Sequence, residues 1–144
     1  MSLSDRQALA AANPTLGGFE LSRPAEPEAV TAFRHRAAAF AAENGAGPEL
    51  VSDIALAVSE AVSNAVKYAY GPDEVGTVAL SASAEKGWLT LRVTDRGAGF
   101  GTGSSDGLGL GLMIIARLCD HLKIIQEGSG TQVLMRFVRP RKER

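Results

Sequence analysis

Three polar side chains share one face of a long predicted helix. Glu60, Asn64 and Lys67 lie at positions i, i+4 and i+7 of the helix predicted over residues 49–70, and this spacing places them on the same side. Asparagine is a poor helix-interior residue, because its side chain competes for backbone hydrogen bonds. Its amide oxygen is a competent ligand for Mg²⁺, and a glutamate one turn earlier can orient a water or accept a proton. Taken alone, the stripe is more typical of a solvated face with a Glu–Lys pair.

A carboxylate and two glycines follow a predicted strand over residues 88–94. Asp95, Gly97 and Gly99 form the pattern Asp-x-Gly-x-Gly, which ends in Phe100. A carboxylate at the end of a strand can accept a hydrogen bond from an amine on a ring, and glycines allow the backbone to approach a flat ligand closely. Aspartate and glycine are also ordinary turn residues, so this motif is weak when considered alone.

A second glycine run leads directly into a predicted helix over residues 108–120. Gly107, Gly109 and Gly111 alternate with leucines, the first of which is Leu108. The free N–H groups at a helix N-terminus attract anions, and glycine permits close approach of a phosphate. The run lacks the Gly-Lys-Ser/Thr of a Walker A loop and the Gly-x-Gly-x-x-Gly spacing of a dinucleotide site. An ordinary loop before a helix would also explain it.

Gly130 and Thr131 open the last predicted strand. The hydroxyl of Thr131 could assist Asp95 at a ring amine, although a β-branched residue after a turn is equally typical of a plain strand. The combination is more specific than its parts. An Asn-bearing helix, a strand ending in Asp-x-Gly-x-Gly-Phe, a glycine run entering a helix and Gly-Thr opening a strand rarely occur together by chance.

The pattern of apolar residues predicts the elements that position these groups. Period-two alternation predicts strands, helical spacing predicts helices, and Pro24 is expected to end the first strand. The predicted strands cover 19–22, 77–84, 88–94, 121–126 and 131–138, and the predicted helices cover 28–44, 49–70 and 108–120. This order predicts an α+β fold: a two-layer α/β sandwich with three helices on one face of a mixed, mostly antiparallel sheet.

Length and composition are typical of a single globular domain. The 144 residues are 45% hydrophobic and 22% charged, which is ordinary for a folded protein of this size. We expect a flexible leader over residues 1–16, a folded domain over residues 17–138 and a solvated basic tail over residues 139–144.

Charge and cysteine content exclude several classes of function. The net charge of −1 gives no basic field for direct binding of nucleic acid or an anionic membrane. The sequence contains no apolar run of the roughly 20 residues that span a bilayer, and its first residues do not resemble a signal peptide. The single cysteine, Cys119, excludes an internal disulfide, and His35 and His121 lack zinc-ligand spacing. These features predict a cytoplasmic protein.

The motifs, taken in order, resemble the GHKL ATPase superfamily, which groups gyrase, heat-shock chaperone ATPases, histidine kinases and mismatch-repair ATPases. Residues 57–70, AVSEAVSNAVKYAY, look like its N box, with Tyr68-Ala69-Tyr70 where the family usually has His-Ala-Tyr. The runs 95–100, 107–112 and 130–135 match its later boxes. The likeness covers residues 18–138 and is greatest to the stand-alone anti-sigma-factor serine-protein kinases.

This resemblance implies a site for ATP and Mg²⁺. Asn64 would hold Mg²⁺, and Glu60 would act as the catalytic base or position a water. Asp95 would accept the adenine amino group with Thr131 beside it. The other implied nucleotide contacts are Lys67, Gly97, Gly99, Gly107, Leu108, Gly109 and Gly111. Family members bind a sigma factor and phosphorylate a serine on an anti-anti-sigma partner, and the likeness also suggests a homodimer.

One departure from the family leaves alternatives open. Only residues 100–106 separate the two glycine boxes, and this short lid contains no basic residue to neutralise transferring phosphoryl charge. Arg96 is the nearest candidate. An ATP-dependent partner-binding switch without kinase activity is therefore a second hypothesis. A histidine-kinase catalytic module is a third, although the sequence lacks a phosphoacceptor helical hairpin and His35 is more typical of a surface residue.

Overall fold

The computed structural model describes residues 18–97, 108–127 and 130–139, without the side chains of 108, 109 and 127. In this part of the chain, five strands and three helices follow one another in the predicted order β-α-α-β-β-α-β-β. The strands are β1 (Phe19–Pro24), β2 (Thr77–Glu85), β3 (Trp88–Asp95), β4 (His121–Glu127) and β5 (Gly130–Val138). The helices are α1 (Pro27–Glu43), α2 (Pro48–Tyr68) and α3 (Leu108–Leu118).

The five strands form one sheet in the order β1-β2-β3-β5-β4. Every described pair of neighbours is antiparallel, so the expectation of a mixed sheet was wrong in that respect. The crossover through α3 does connect two strands of the same direction, β3 and β4. They are not neighbours, because β5 lies between them and pairs with both in the antiparallel sense.

The hydrophobic core lies between the helices and one face of the sheet. Alternate residues of β2 and β5 are buried, as expected for strands with one face against a core. All three helices contribute buried side chains to this layer. The largest fully buried ones include Phe33 and Phe40 of α1, Ile54 of α2, Leu89 and Leu91 of β3, Ile115 of α3 and Phe137 of β5. The predicted two-layer sandwich is confirmed.

Helix boundaries follow from proline and glycine. Both α1 and α2 begin with a proline in the first turn, where the missing N–H has no partner inside the helix. Gly45, at φ +84°, follows the end of α1, which is the left-handed conformation that commonly terminates helices. All three helices end one or two residues earlier than we predicted: α1 at Glu43, α2 at Tyr68 and α3 at Leu118.

Two predictions at the ends of the domain were wrong. We expected the first strand to stop before Pro24, but β1 includes it, opposite Thr77 of β2. Proline is tolerated there because β1 is an edge strand and its outer side needs no N–H donor. Arg139, which we assigned to the solvated tail, instead donates hydrogen bonds to the carbonyl oxygens of Asn44 (3.1 Å) and Glu85 (3.2 Å).

Candidate nucleotide-binding site

The polar stripe of α2 is not a uniformly solvated face. Asn64 is only 5% exposed, Glu60 one turn earlier is half-buried and Lys67 is exposed. The amide of asparagine can donate two hydrogen bonds and accept two, so its burial is costly unless these groups have partners. The solvated-face interpretation therefore fails at Asn64, the position where the sequence predicted a ligand.

The start of α3 lies directly against this stripe. A Cβ placed on Gly111 would be 3.0 Å from Nδ2 and 3.2 Å from Oδ1 of Asn64, and 3.3 Å from Oε2 of Glu60. Glycine at this position lets the backbone of α3 approach both polar groups with no side chain between them. The structure thus brings Glu60, Asn64 and Gly111 together, and their assignment to a nucleotide stays a prediction.

Asn64 also carries an unsatisfied donor. Its Nδ2 atom is buried and has no hydrogen-bond partner among the residues that the structure describes. Leaving a buried polar group unsatisfied costs roughly 1–3 kcal/mol, so such groups are uncommon in native proteins and need an explanation. An external group rich in acceptor oxygens, such as a polyphosphate, would satisfy this donor.

Asp95 places a carboxylate in a buried position at the end of β3. It is 5% exposed, and its Oδ1 accepts a hydrogen bond from the backbone N–H of Gly97 at 3.0 Å. Burial raises the pKa of the Asp95 carboxyl, and backbone hydrogen bonds from Gly97 and Thr131 partly oppose this effect. The carboxylate can therefore gain from a further donor brought by a ligand.

Thr131 lies beside Asp95 across the sheet. The two residues are direct partners in the β3–β5 register. Thr131 is 1% exposed, and its buried Oγ1 has no hydrogen-bond partner in the described part of the chain. A carboxylate and an unsatisfied hydroxyl at one end of the sheet form a polar pair that can receive an amine from a flat ring.

Gly97 joins this end of the sheet to α2. It is buried, and a Cβ on it would overlap the carbonyl oxygen of Ala69, the residue that follows α2. The sequence predicted Gly97 only as a nucleotide contact that lets the backbone approach a flat ring, and its close packing against Ala69 is an additional reason for glycine. Ala69 follows Asn64 by five residues, an axial rise of about 7.5 Å in a helix. The Asp95 turn therefore approaches the same end of α2 that carries Asn64.

Tyr70 is a residue of this region whose role sequence reasoning missed. Its hydroxyl donates to the carbonyl oxygen of Thr77 at 2.7 Å and accepts from the backbone N–H of Arg96 at 2.9 Å. The sequence showed Tyr70 only as the aromatic end of the N box. That aromatic ending was the available signal, but the partner at Arg96 is 26 residues away and could not be inferred from local pattern.

Several predicted contacts lie outside the part that the structure describes. Gly99 and Gly107 belong to residues 98–107, and only the backbone is described for Leu108 and Gly109, which begin α3. The assignment of Gly99 to the adenine ring and of Gly107 and Gly109 to the phosphates stays a prediction, as does the nucleotide contact of Leu108. Arg96, the basic residue nearest the short lid, is exposed.

The structure gives no support to a metal site built by histidines. Both His35 and His121 are exposed. Within residues 18–97, 108–127 and 130–139, no group of three or more His, Cys, Asp or Glu side chains is arranged to hold a metal ion. Magnesium bound together with a nucleotide needs only one or two protein oxygens, since phosphates and waters supply the others, and the buried amide of Asn64 fits that requirement.

The fold and this arrangement of polar groups define a class of protein. The family model for the histidine kinase-like ATPase domain matches residues 23–137, a range that contains Glu60, Asn64, Asp95, Gly111 and Thr131. The chain belongs to the histidine kinase-like ATPase domain family.

Within that family, the chain is similar to proteins named serine-protein kinase RsbW. The one from Bacillus licheniformis is 32% identical over 134 residues, which cover 81% of this chain and 82% of that protein. The one from Listeria innocua is 28% identical over 134 residues, which cover 82% and 85%. The resemblance to GHKL serine-protein kinases is therefore confirmed.

Solved structures agree with this assignment. The RsbU and RsbW domains of a Mycobacterium tuberculosis protein match with a TM-score of 0.65 and 26% identity, over 85% of this chain and 33% of that one. The chain thus spans about a third of that solved protein. A SiaB–SiaC complex from Pseudomonas aeruginosa matches with a TM-score of 0.65 over 94% and 97% of the two chains. Its 16% identity supports the fold alone.

Among the helices of the described residues, none is both long enough and apolar enough to cross a membrane.

Proposed function

We propose that this protein is an ATP- and Mg²⁺-dependent protein-serine kinase that acts as an anti-sigma factor. It sequesters a sigma factor and phosphorylates a serine on an anti-anti-sigma partner in the cytoplasm. Membership of the ATPase family and similarity to serine-protein kinases support this proposal. The observation that carries it is a set of buried polar side chains. Asn64 on α2 and Thr131 at the end of the sheet each have an atom without a partner in the described residues, and Asp95 lies beside Thr131.

The adenine would lie at the end of the sheet. Asp95 would accept a hydrogen bond from the adenine amino group, and the Thr131 hydroxyl would gain a partner that it lacks among the described residues. Gly97 and Gly99 would face the ring. This assignment is consistent with a buried carboxylate whose pKa is raised by burial, because an added donor favours the charged form.

The phosphates would extend from there toward Asn64 and the N-terminus of α3. Asn64 would hold Mg²⁺ through its amide oxygen, and Lys67, one turn along α2, would approach the same phosphates from the solvent side. The metal ion supplies charge neutralisation to the phosphates when bound. The glycines at 107, 109 and 111 carry no side chain, so the N–H groups of this run would suit phosphate oxygens.

Glu60 would orient the hydroxyl of the partner's serine and accept its proton. In the proposed transfer, the serine oxygen bonds to the γ-phosphorus while the bond from that phosphorus to the β-γ bridging oxygen breaks, leaving ADP. The serine proton passes to the Glu60 carboxylate. Glu60 is half-buried and lies next to Gly111 and one turn from Asn64, so it is near enough to the proposed γ-phosphate to orient an incoming hydroxyl.

Calorimetry tests the binding part of this proposal. Wild-type protein is expected to bind ATP much more tightly with Mg²⁺ than with EDTA, and Asn64→Ala is expected to lose the metal-dependent gain. Ser52→Ala, an alanine substitution at an exposed position of the same helix, is the matched control and keeps wild-type affinity. An Asn64→Ala protein that folds and retains full Mg²⁺-dependent affinity would refute the metal role.

Phosphotransfer is tested with γ-labelled ATP and the anti-anti-sigma protein of the same organism. We expect label on a partner serine, and Glu60→Gln should reduce its rate by about 10²-fold or more, the contribution expected of a general base. Nucleotide affinity should change little in this variant. Absence of label at saturating Mg²⁺ and ATP would contradict the kinase assignment.

A partner-binding switch without chemistry is the second candidate. The short lid of residues 100–106, which contains no basic residue, favours it, because phosphoryl transfer benefits from cationic neutralisation. In this case ATP would change partner affinity although no phosphate is transferred. Partner affinities measured with and without ATP and Mg²⁺ decide the point, since equal values exclude a nucleotide switch.

A further inference from the structure

We infer that Tyr70 is a positioning residue that sets the selectivity of the site for the adenine amino group. The inference rests on the proposed function, in particular on Asp95 as the acceptor of that amine. Tyr70 does not contact the base in this scheme. It acts through the backbone of the turn that follows Asp95.

The Tyr70 hydroxyl lies just beyond the last residue pair of β2 and β3. The last pair in the β2–β3 register at this end is Val78 with Asp95, so Thr77 and Arg96 would be the next pair. The hydroxyl lies between them: it donates to the Thr77 carbonyl oxygen at 2.7 Å and accepts from the Arg96 N–H at 2.9 Å. The tyrosine side chain thus replaces a direct backbone contact and continues the connection between the two strands.

This bridge fixes the turn that orients the carboxylate. The N–H of Arg96 is bound to Tyr70, and the next N–H along the chain, that of Gly97, is bound to Oδ1 of Asp95. Two consecutive amides therefore hold the turn, one to the end of α2 and one to the Asp95 side chain. If the first is released, the Gly97 N–H can change direction, and the carboxylate loses its fixed orientation.

The tyrosine ring is held independently of its hydroxyl. Gly76 lies against the ring so closely that a Cβ on it would overlap ring atoms of Tyr70. Tyr70→Phe keeps this packing and removes only the bridging oxygen. The variant is therefore expected to fold, with the Arg96 N–H left without the partner that it has in the wild type.

The test compares ATP with purine riboside triphosphate, which lacks only the 6-amino group. Affinities for both ligands are measured with Mg²⁺ by calorimetry. Wild-type protein is expected to prefer ATP, Asp95→Asn to lose most of the preference, and Tyr70→Phe to reduce it by about three- to tenfold, the effect of one net hydrogen bond. Affinity for the ligand without the amine should be nearly unchanged in Tyr70→Phe.

Glu74→Ala is the matched control for general loosening of residues 71–76. Glu74 accepts a hydrogen bond from the Gly71 N–H at 2.8 Å, so its loss frees the same segment without removing the contact to Arg96. This variant should keep the wild-type ratio of the two affinities. An equal loss of preference in Glu74→Ala and Tyr70→Phe would overturn the inference, because it would show a structural effect only.

The remaining outcomes separate this inference from the proposed function. If Asp95→Asn loses the preference and Tyr70→Phe retains it fully, the inference fails and the proposed site stands. If wild-type protein shows no preference for the amine, the Asp95 assignment itself fails and so does the inference. Hydrogen exchange of the Arg96 amide gives a second measurement without nucleotide: faster exchange in Tyr70→Phe than in Glu74→Ala is expected, and equal rates would count against the bridge.

Discussion

At the scale of single residues, Asp95 is expected to make both stability and nucleotide binding depend on pH. Burial raises the pKa of its carboxyl, so the folded protein holds a proton that the unfolded chain has already released at intermediate pH. The contribution of Asp95 to the free energy of unfolding therefore falls as the pH rises from the ordinary aspartate pKa through the raised pKa. A ligand amine favours the carboxylate, and nucleotide binding should then release protons in this range.

Asp95→Asn tests that linkage in the ligand-free protein. Both proteins are neutral at this position at low pH, and their stabilities should be similar there. As pH rises through the raised pKa, the wild type should lose stability relative to the variant. Urea unfolding at a series of pH values measures the difference, and a difference that does not change with pH would contradict the burial argument.

A substitution at Thr131 can test ligand recognition without leaving a cavity in the protein. Thr131→Val keeps the shape of the side chain and removes a buried hydroxyl that has no partner within residues 18–97, 108–127 and 130–139. The ligand-free protein should be equally stable or more stable, by up to about 1–3 kcal/mol, while ATP affinity should fall. Thr90→Val is the comparison, because Thr90 is also buried but its hydroxyl is bonded to Glu85 at 3.4 Å. An unchanged ATP affinity in Thr131→Val would remove Thr131 from the proposed site.

At the scale of elements, the contact between α2 and α3 depends on Gly111. An alanine Cβ there would be 3.0 Å from Nδ2 of Asn64, so α3 or the amide must shift. Alanine also favours the helix over glycine by about 0.8–1.0 kcal/mol, which offsets part of the packing penalty. We expect Gly111→Ala to change stability little and to weaken Mg²⁺-dependent ATP affinity by tenfold or more.

The control for this substitution is Gly47→Ala, where an added Cβ meets no atom within 4 Å. Thermal unfolding and calorimetry on both variants provide the comparison. Full ATP affinity in Gly111→Ala would show that the approach of α3 to Asn64 is not needed for binding.

The contact between β3 and α2 depends on Gly97 in a different way. A Cβ at this position would overlap the backbone carbonyl of Ala69, and a backbone atom cannot move aside as a flexible side chain can. Gly97→Ala should therefore destabilise the protein by roughly 1–3 kcal/mol, the usual range for overpacking. Urea unfolding measures this loss, and a fully stable variant would contradict the described contact.

At the scale of the whole molecule, local sequence pattern was sufficient to predict the two layers of the fold. It was insufficient to predict the contacts between distant segments. Alternation in residues 77–84 and 131–138 predicted β2 and β5 because one side of each strand faces the core. The mid-helix Asn64 needed a reason, since asparagine is unfavourable there, but its polar stripe taken alone was more typical of a solvated face. The burial of Asn64 became evident only in the structure. Four motifs in one order then predicted the family.

The remaining features depend on contacts between distant parts of the chain. The bridge from Tyr70 to Arg96 and the approach of Gly97 to Ala69 join segments more than 25 residues apart, and no local period encodes them. The wholly antiparallel sheet follows from the insertion of β5 between β3 and β4, which hairpin signals alone did not determine. The predicted homodimer stays a prediction.

The most direct measurement is a crystal structure of the protein with Mg²⁺ and a non-hydrolysable ATP analogue. We predict that one bound nucleotide reaches both ends of the site. The Asn64 amide oxygen should lie about 2.0–2.1 Å from Mg²⁺, and the Asp95 carboxylate should accept a hydrogen bond from the adenine amino group. A nucleotide bound at another surface, or one that contacts only one of these two residues, would contradict it.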